Sequence, residues 1–312
     1  NGEADMWDSG KQLSEESDLI PYQGKTLPSA QDCYWKVQTW DQDGKPTAWS
    51  KPSYWGMGIM NENEWQAQWI APLLGGPGAP LLRKHFDSKG QIKQAKVFVC
   101  GLGYFELYVN GERIGDDYLV PNMTDYTKRF DLEKGPIAIS GNMSRHRVMY
   151  LAYDITKQIQ EGRNALGVIL GNGFYDAVNL NIPCSKFGDE CLRLQLQLTY
   201  TDGTTQTVIS DNTWETKPSA ITLNGVHAGE IYNANLETPL WATTEDNSQG
   251  WQRVKCIEGP TGMMTAHTAP TDKIVETLKP ISLHQREDGA SLLDLRKETA
   301  DTVKVRNMSG ET

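Results

Sequence analysis

The clearest pattern along the chain is an alternation. Leu192, Leu194, Leu196 and Leu198 recur at every second position, so all four project from one face of an extended strand. Asp202-Gly203 follows as a turn, and residues 192–210 read as a β-hairpin. Residues 96–115, KVFVCGLGYFELYVNGERIG, predict two strands and a hairpin turn at Asn110-Gly111. Asn-Gly suits that turn because both central residues take positive φ. Residues 33–50, CYWKVQTWDQDGKPTAWS, alternate and then meet a glycine turn. Cys33, Trp35, Val37 and Thr39 fall on one face, and Tyr34, Lys36, Gln38 and Trp40 on the other. Helical signals are scarce. The segment DITKQIQEG predicts one short helix, with Asp154 as its N-cap and Gly162 as its stop. Short strands at regular spacing with turn residues between them predict an all-β chain of tandem β-sandwiches.

The stretch NALGVILGNGFYDA (164–177) runs from an apolar strand into glycines, as a nucleotide-binding loop would. Gly171 and Gly173 supply the first pair of such a fingerprint, but Asp176 occupies the third position. A carboxylate there repels a phosphate, and the following VNLNIPCSKFG has no helical period. Nucleotide binding is therefore set aside.

Composition narrows the partners. Thirty Lys and Arg stand against forty Asp and Glu, a net charge of −10, which argues against nucleic acid or an anionic membrane. No apolar run approaches the length of a membrane span, and membrane insertion is not expected. Ten Trp and twelve Tyr suit sandwich cores and also the stacking of sugar faces. Gly, Pro and Asn gather at 57–80 and again near 260, dividing the chain into 1–60, 61–260 and 261–312. The outer pieces are too short to bury a good core alone, and the chain opens on Asn, so it reads as a part cut from a longer protein. Five cysteines make an odd count. Cys184 and Cys191 flank a short loop that a disulfide would span, and free buried thiols are the alternative. Asn122, Asn142 and Asn307 begin glycosylation sequons, relevant only in a host that glycosylates secreted proteins.

The run YWKVQTWDQDGKPTAWS resembles the last two strands of a fibronectin type III-like module, with Tyr34 at its tyrosine corner. A longer order of motifs then follows: MWDSGK, YWKVQTWDQDG, WQAQWI, YVNGERIG, TDYTKR, YDITKQIQEGRNALGVILGNGFY and GEIYNANLETPLW. Together they resemble the N-terminal, non-catalytic portion of a bacterial α-L-rhamnosidase of glycoside hydrolase family 78. The resemblance implies a partial fibronectin type III-like β-sandwich (1–60), a jelly-roll, galactose-binding-like accessory domain (61–260), and the start of a third β-sandwich (261–312). It places LGNGFY in a strand and loop of the jelly roll, where Gly171 and Gly173 let the chain turn sharply. It also implies a helical catalytic barrel outside this segment, with two acids roughly 6.5–9.5 Å apart for an inverting mechanism. The chain departs from the family at Asn233 and Asn235, where Asp-Ala-Arg is usual, and at Arg296 and Asp301, where glycine is expected.

Sugar recognition needs a flat aromatic for the C–H face and planar polar groups for the hydroxyls. Three clusters supply them. The first holds Asn172, Phe174, Tyr175 and Asp176; the second Asp125, Tyr126 and Arg129; the third Glu230, Tyr232 and Asn233. The carbohydrate-binding candidates taken from them are Asn172, Tyr175, Asp176, Tyr126, Glu230 and Tyr232. Core tyrosines and turn-closing Asn and Asp are the structural alternative for each cluster. No catalytic residue is assigned. The five histidines show no ligand spacing; no cofactor is required, and calcium stays open as a ligand. The expected partners are a rhamnose-containing glycan or glycoside and a downstream catalytic domain of the same protein. A periplasmic or secreted location is expected, though the sequence does not determine it. A stand-alone carbohydrate-binding module and a purely structural spacer are the competing functions.

Overall fold

The leucine strand lies at the centre of a seven-stranded sheet. In the computed structural model, which describes residues 4–16, 18, 20–73, 75–126, 146–176, 186–245, 248–287 and 291–294, β10 (Cys191–Tyr200) pairs antiparallel with β5 (Ile92–Leu102) along most of its length. The sheet order is β16 (Lys255–Cys256), β3 (Ile70–Ala71), β10, β5, β8 (Arg147–Asp154) and β17 (Met263–Ala266). The strand β11 (Thr205–Ile209) also pairs with β10, completing the expected hairpin around Gly203 at φ +85°. Among the described residues, β17 alone joins this sheet in parallel, beside β8, and its other pairings are antiparallel. A second, six-stranded sheet has the order β15 (Gln252–Arg253), β12 (Glu215–Pro218), β4 (Pro80–Ser88), β9 (Gly162–Gly171), β6 (Tyr104–Val109) and β7 (Glu112–Arg113).

The two sheets close on one core. Leu192, Leu194, Leu196 and Leu198 are fully buried, with Val97 and Val99 of β5, Leu107 of β6, Leu166, Val168 and Leu170 of β9, and Trp214. Burying each such side chain contributes about 1.5–3 kcal/mol. Residues 96–115 serve both layers, because β5 lies in the first sheet and β6 in the second. Asn110 (φ +49°) and Gly111 (φ +86°) form the predicted turn between β6 and β7.

The first sheet is covered on its outer face as well. Phe98, Cys100, Leu102, Val148, Tyr150 and Cys191 point there, under Trp65, Trp69, Tyr126 and Tyr175. Trp65 meets Tyr150 edge to face at 5.2 Å. The polar positions of β10 on this side are clamps. Gln195 is fully buried; its Oε1 accepts from the amides of Gln66 (2.7 Å) and Ala67 (3.3 Å), and its Nε2 donates to the Glu64 carbonyl (3.1 Å). Arg193 Nε donates to the Ala67 carbonyl at 3.0 Å.

The N-terminal part forms a ribbon of β1 (Asp32–Trp35) and β2 (Ser53–Gly56), continued by a hairpin with Gly44 at φ +75° in its turn. It is tied to β5 by Asp32, which bonds Lys96, Gln94 and the Tyr54 hydroxyl. Alternation along this ribbon does not sort buried from exposed positions. Of Cys33, Trp35, Val37 and Thr39, only Cys33 is buried, since no second layer covers the ribbon among the described residues. Tyr34 is 72% exposed and leans on Tyr54 at 5.3 Å; it does not fill a corner. The helix expected at 154–162 is a single turn. Ile155 and Ile159 are drawn into the core, and Asp154 Oδ1 accepts from the amide and hydroxyl of Thr156 instead of capping a longer helix. Two ribbons complete the fold: β13 (Ile221–Gly225) with β14 (Gly229–Tyr232), and β18 (Ser282–Gln285) with β19 (Ser291–Asp294). The last belongs to a separate compact unit, Lys273–Thr312, while everything else lies in Asn1–Asp272.

Replacing Gln195 by Leu takes the partner from the buried amide of Ala67 and from the half-buried Gln66 amide and Glu64 carbonyl. We expect a loss of about 3 kcal/mol in urea unfolding. Amide exchange at Gln66 and Ala67 should accelerate, while the β10 amide of Leu196 stays protected.

Candidate functional site

The glycines at the end of β9 mark a crossing of two backbones. A Cβ on Gly103 would lie 2.0 Å from the Asn172 carbonyl oxygen. Gly173, at φ +50°, packs against Gly103 in turn. Only glycine fits both positions, so this loop serves the passage of the chain between sheets.

Asn172 sits under that crossing and is fully buried. Its amide donates to Asn224 Oδ1, and Asn224 Nδ2 donates to Asn172 Oδ1, both at 2.7 Å. Its Nδ2 donates to Asp176 Oδ2 at 3.3 Å, and its carbonyl accepts from the Asp176 amide at 3.0 Å. Asp176 also holds Lys186 Nζ at 2.8 Å, and Lys186 reaches Asp189 at 3.2 Å. The hydrogen bond that Lys186 donates to Asp176 raises the Lys186 pKa. Tyr175 and Tyr126 meet edge to face at 5.0 Å and share Phe187 as a neighbour. Burial raises both phenols above their ordinary range.

Glu190 closes the cluster. It is 1% exposed, and its Oε2 has no hydrogen-bond partner among the described residues. Burial, reinforced by the negative charge of Asp176, pushes its pKa up to about 7, against the pull of a backbone hydrogen bond. The pair of carboxylates brought together here is therefore enclosed. A glycoside has no access to a side chain so deeply covered, and the arrangement acts as a polar plug within the wall of the sandwich.

The six sequence-chosen residues thus fall into two groups. Asn172, Tyr175, Asp176 and Tyr126 share the interior cluster. Glu230 and Tyr232 stand exposed on β14, where the Tyr232 hydroxyl donates to Glu237 and its pKa rises to about 12. Asn224 links the groups: it bonds Asn172 and is the register partner of Glu230. Asn233, at the departure from the family pattern, caps a 3₁₀ turn by accepting from the Asn235 amide at 3.1 Å. Asp125 pairs with His146 at 2.8 Å. Arg129, Asn142, Cys184, Arg296, Asp301 and Asn307 lie outside the described residues. Cys191 is a buried free thiol, as are Cys33 and Cys100. Among the described residues, no group of three or more His, Cys, Asp or Glu is arranged to hold a metal ion. Sequence reasoning missed Asn224, Lys186 and Glu190. The charges in SKFGDE were a visible signal for the last two; Asn224 had none.

A two-sheet, mostly antiparallel β-sandwich with a smaller N-terminal ribbon is the class of fold that these elements define. Its family is recognisable. The family described as the alpha-L-rhamnosidase N-terminal domain matches residues 90–137 and 141–276, and the Rha78A-like, N-terminal immunoglobulin domain matches residues 1–61. The chain belongs to the alpha-L-rhamnosidase N-terminal domain family. An alpha-L-rhamnosidase of Formosa agariphila is 31% identical, over 97% of this chain and 33% of its own length. The structure of alpha-L-rhamnosidase from Dictyoglumus thermophilum superposes with a TM-score of 0.79 at 34% identity, covering 93% of this chain and 32% of that one. The Streptomyces avermitilis enzyme, solved with L-rhamnose, shares the fold at a TM-score of 0.78 and 20% identity, over 93% of this chain and 43% of its own. The chain spans about a third of the length of the first curated relatives it matches.

Glu190 makes stability depend on pH. Its folded pKa is raised, so its protonated form favours the fold; that contribution is complete below the ordinary value of 4.5 and is lost as pH rises through about 7. Urea midpoints measured from pH 4 to 8 should fall across this window in the native chain. In Glu190→Gln the fall should be largely abolished, leaving the variant more stable than the native chain at the alkaline end.

Proposed function

We propose that this chain is the non-catalytic, scaffold-forming N-terminal region of an α-L-rhamnosidase that removes terminal α-L-rhamnosides by inversion. Bond cleavage belongs to polypeptide beyond the third of the enzyme that this chain represents. The observation that carries the reading is the ordered match of two accessory-domain families along one chain. The enclosure of the Asp176–Glu190 pair supports it, because hydrolysis needs two carboxyls with room for a sugar and a water between them. The substrate in this reading is a rhamnose-containing glycoside, met in the periplasm or outside the cell. Calcium is an optional ligand. The buried group around Asn172 holds the β13–β14 ribbon in place, and Glu230 and Tyr232 are the two of the six that a saccharide reaches directly.

The purified 312-residue chain should release no chromophore from an aryl α-L-rhamnoside, under conditions in which a full-length relative turns it over. Turnover by the isolated chain, retained after passage over a second column, would place the chemistry here and overturn the proposal.

A further inference from the structure

On the outer face of the first sheet, the 259–264 segment and the pinned 62–69 segment leave a half-open cleft of about 480 Å³ between them. That volume lies within the usual range of small-molecule sites, roughly 300–1,000 Å³. Met263, Met264 and Pro260 give it an apolar wall, and Trp69, Arg193 and Glu62 give it a polar one.

The polar groups are held in place and only partly used. Arg193 lies over the Trp65 ring, with its guanidinium carbon 5.0 Å from the centroid. Its Nε is committed to the Ala67 carbonyl and its Nη1 to Glu62 Oε1 at 2.7 Å. Among the described residues, Arg193 Nη2, Glu62 Oε2 and the Trp69 indole N–H have no protein partner. The cleft therefore offers two fixed donors and an acceptor beside an apolar surface. Arg193 and Glu62 neutralise each other, so a charged ligand gains little there. Adjacent hydroxyls of a sugar ring can each donate and accept, and the adaptable methionines with Pro260 offer apolar contact to its C–H groups where no aromatic face is presented.

We propose that this cleft binds a neutral pyranose through two adjacent hydroxyls, one accepting from Arg193 Nη2 and one donating to Glu62 Oε2, with the Trp69 N–H as a further donor. The site is separate from Glu230 and Tyr232. Because it is measured as binding by the chain alone, its failure leaves the hydrolase reading untouched, and the reverse also holds.

The test is a titration of the 312-residue chain with methyl α-D-mannopyranoside, methyl α-D-galactopyranoside and methyl α-L-rhamnopyranoside, following the Trp69 indole N–H by NMR. Saturable millimolar binding to at least one of them is expected. Glu62→Gln keeps the shape of an exposed side chain and should weaken binding roughly tenfold. Met263→Ala should weaken it by a smaller factor, and both variants should keep the native urea midpoint. Arg193→Lys should lose binding altogether; because Arg193 also pins Ala67, the two rim variants decide the matter if this one is unstable. No movement of the Trp69 resonance with any of the three sugars, or equal affinity in Glu62→Gln and the native chain, would overturn the proposal.

Discussion

Burial of the seven-stranded sheet on both faces is the constraint on which the rest of the structure depends. A sheet that faces water on one side can leave its outward polar residues solvated. Here Gln195 cannot be, and Arg193 is so only in part. Inward, the leucines of β10 meet the second sheet; outward, Cys191, Arg193 and Gln195 lie beneath an aromatic layer. A polar group fully buried there must find a partner, because an unpaired one costs about 1–3 kcal/mol. Gln195 and Arg193 find theirs on the backbone of the 62–68 segment, which is thereby fixed in path. The N-terminal ribbon is held through the same layer: the Tyr150 hydroxyl bonds the amide of Ile59 at 2.8 Å, and Asp32 meets Lys96. What joins the immunoglobulin-like part to the sandwich is thus a consequence of how β10 and its neighbours satisfy their outer surface.

This explains which features were legible in the sequence. The leucine row of β10 and the turns at Asn110-Gly111 and Asp202-Gly203 follow from local rules, namely side-chain period and backbone conformation, and both appear as read. The 33–50 hairpin also forms, but which face is buried depends on a layer that the local pattern does not encode. The turn at 155–159 failed as a helix because two isoleucines gained more from the core than a short, isolated helix could supply. Around Asn172 the residue types were noticed and their depth was not. Its main partner, Asn224, lies 52 residues away, and pairing at that distance leaves no mark in a window of sequence.

The cluster of Asn172, Asp176, Lys186 and Glu190 and the cleft at Arg193 illustrate two outcomes for polar groups in one wall. In the first, nearly every donor and acceptor is spent on another protein group, and Glu190 Oε2, an orphan among the described residues, is answered by a shift toward the neutral form. In the second, the side chains line an opening and are fixed by only part of their hydrogen-bonding capacity. Chemistry on a substrate requires the second condition. For a chain that belongs to a family of accessory domains, rigidity and contact are the properties that such walls provide.

The parallel strand β17 has its own consequence. It returns to the edge of β8 more than a hundred positions after that strand was laid down, and β8 on its other side is already occupied by β5. During synthesis, the row of peptide groups along β8 therefore waits for a cover that emerges from the ribosome much later. An uncovered edge of this kind recruits strands from other molecules. Shielding it is a task for the nascent chain's surroundings until Ala266 arrives, and a gene fragment cut short of that point would encode a sandwich with an open, adhesive flank.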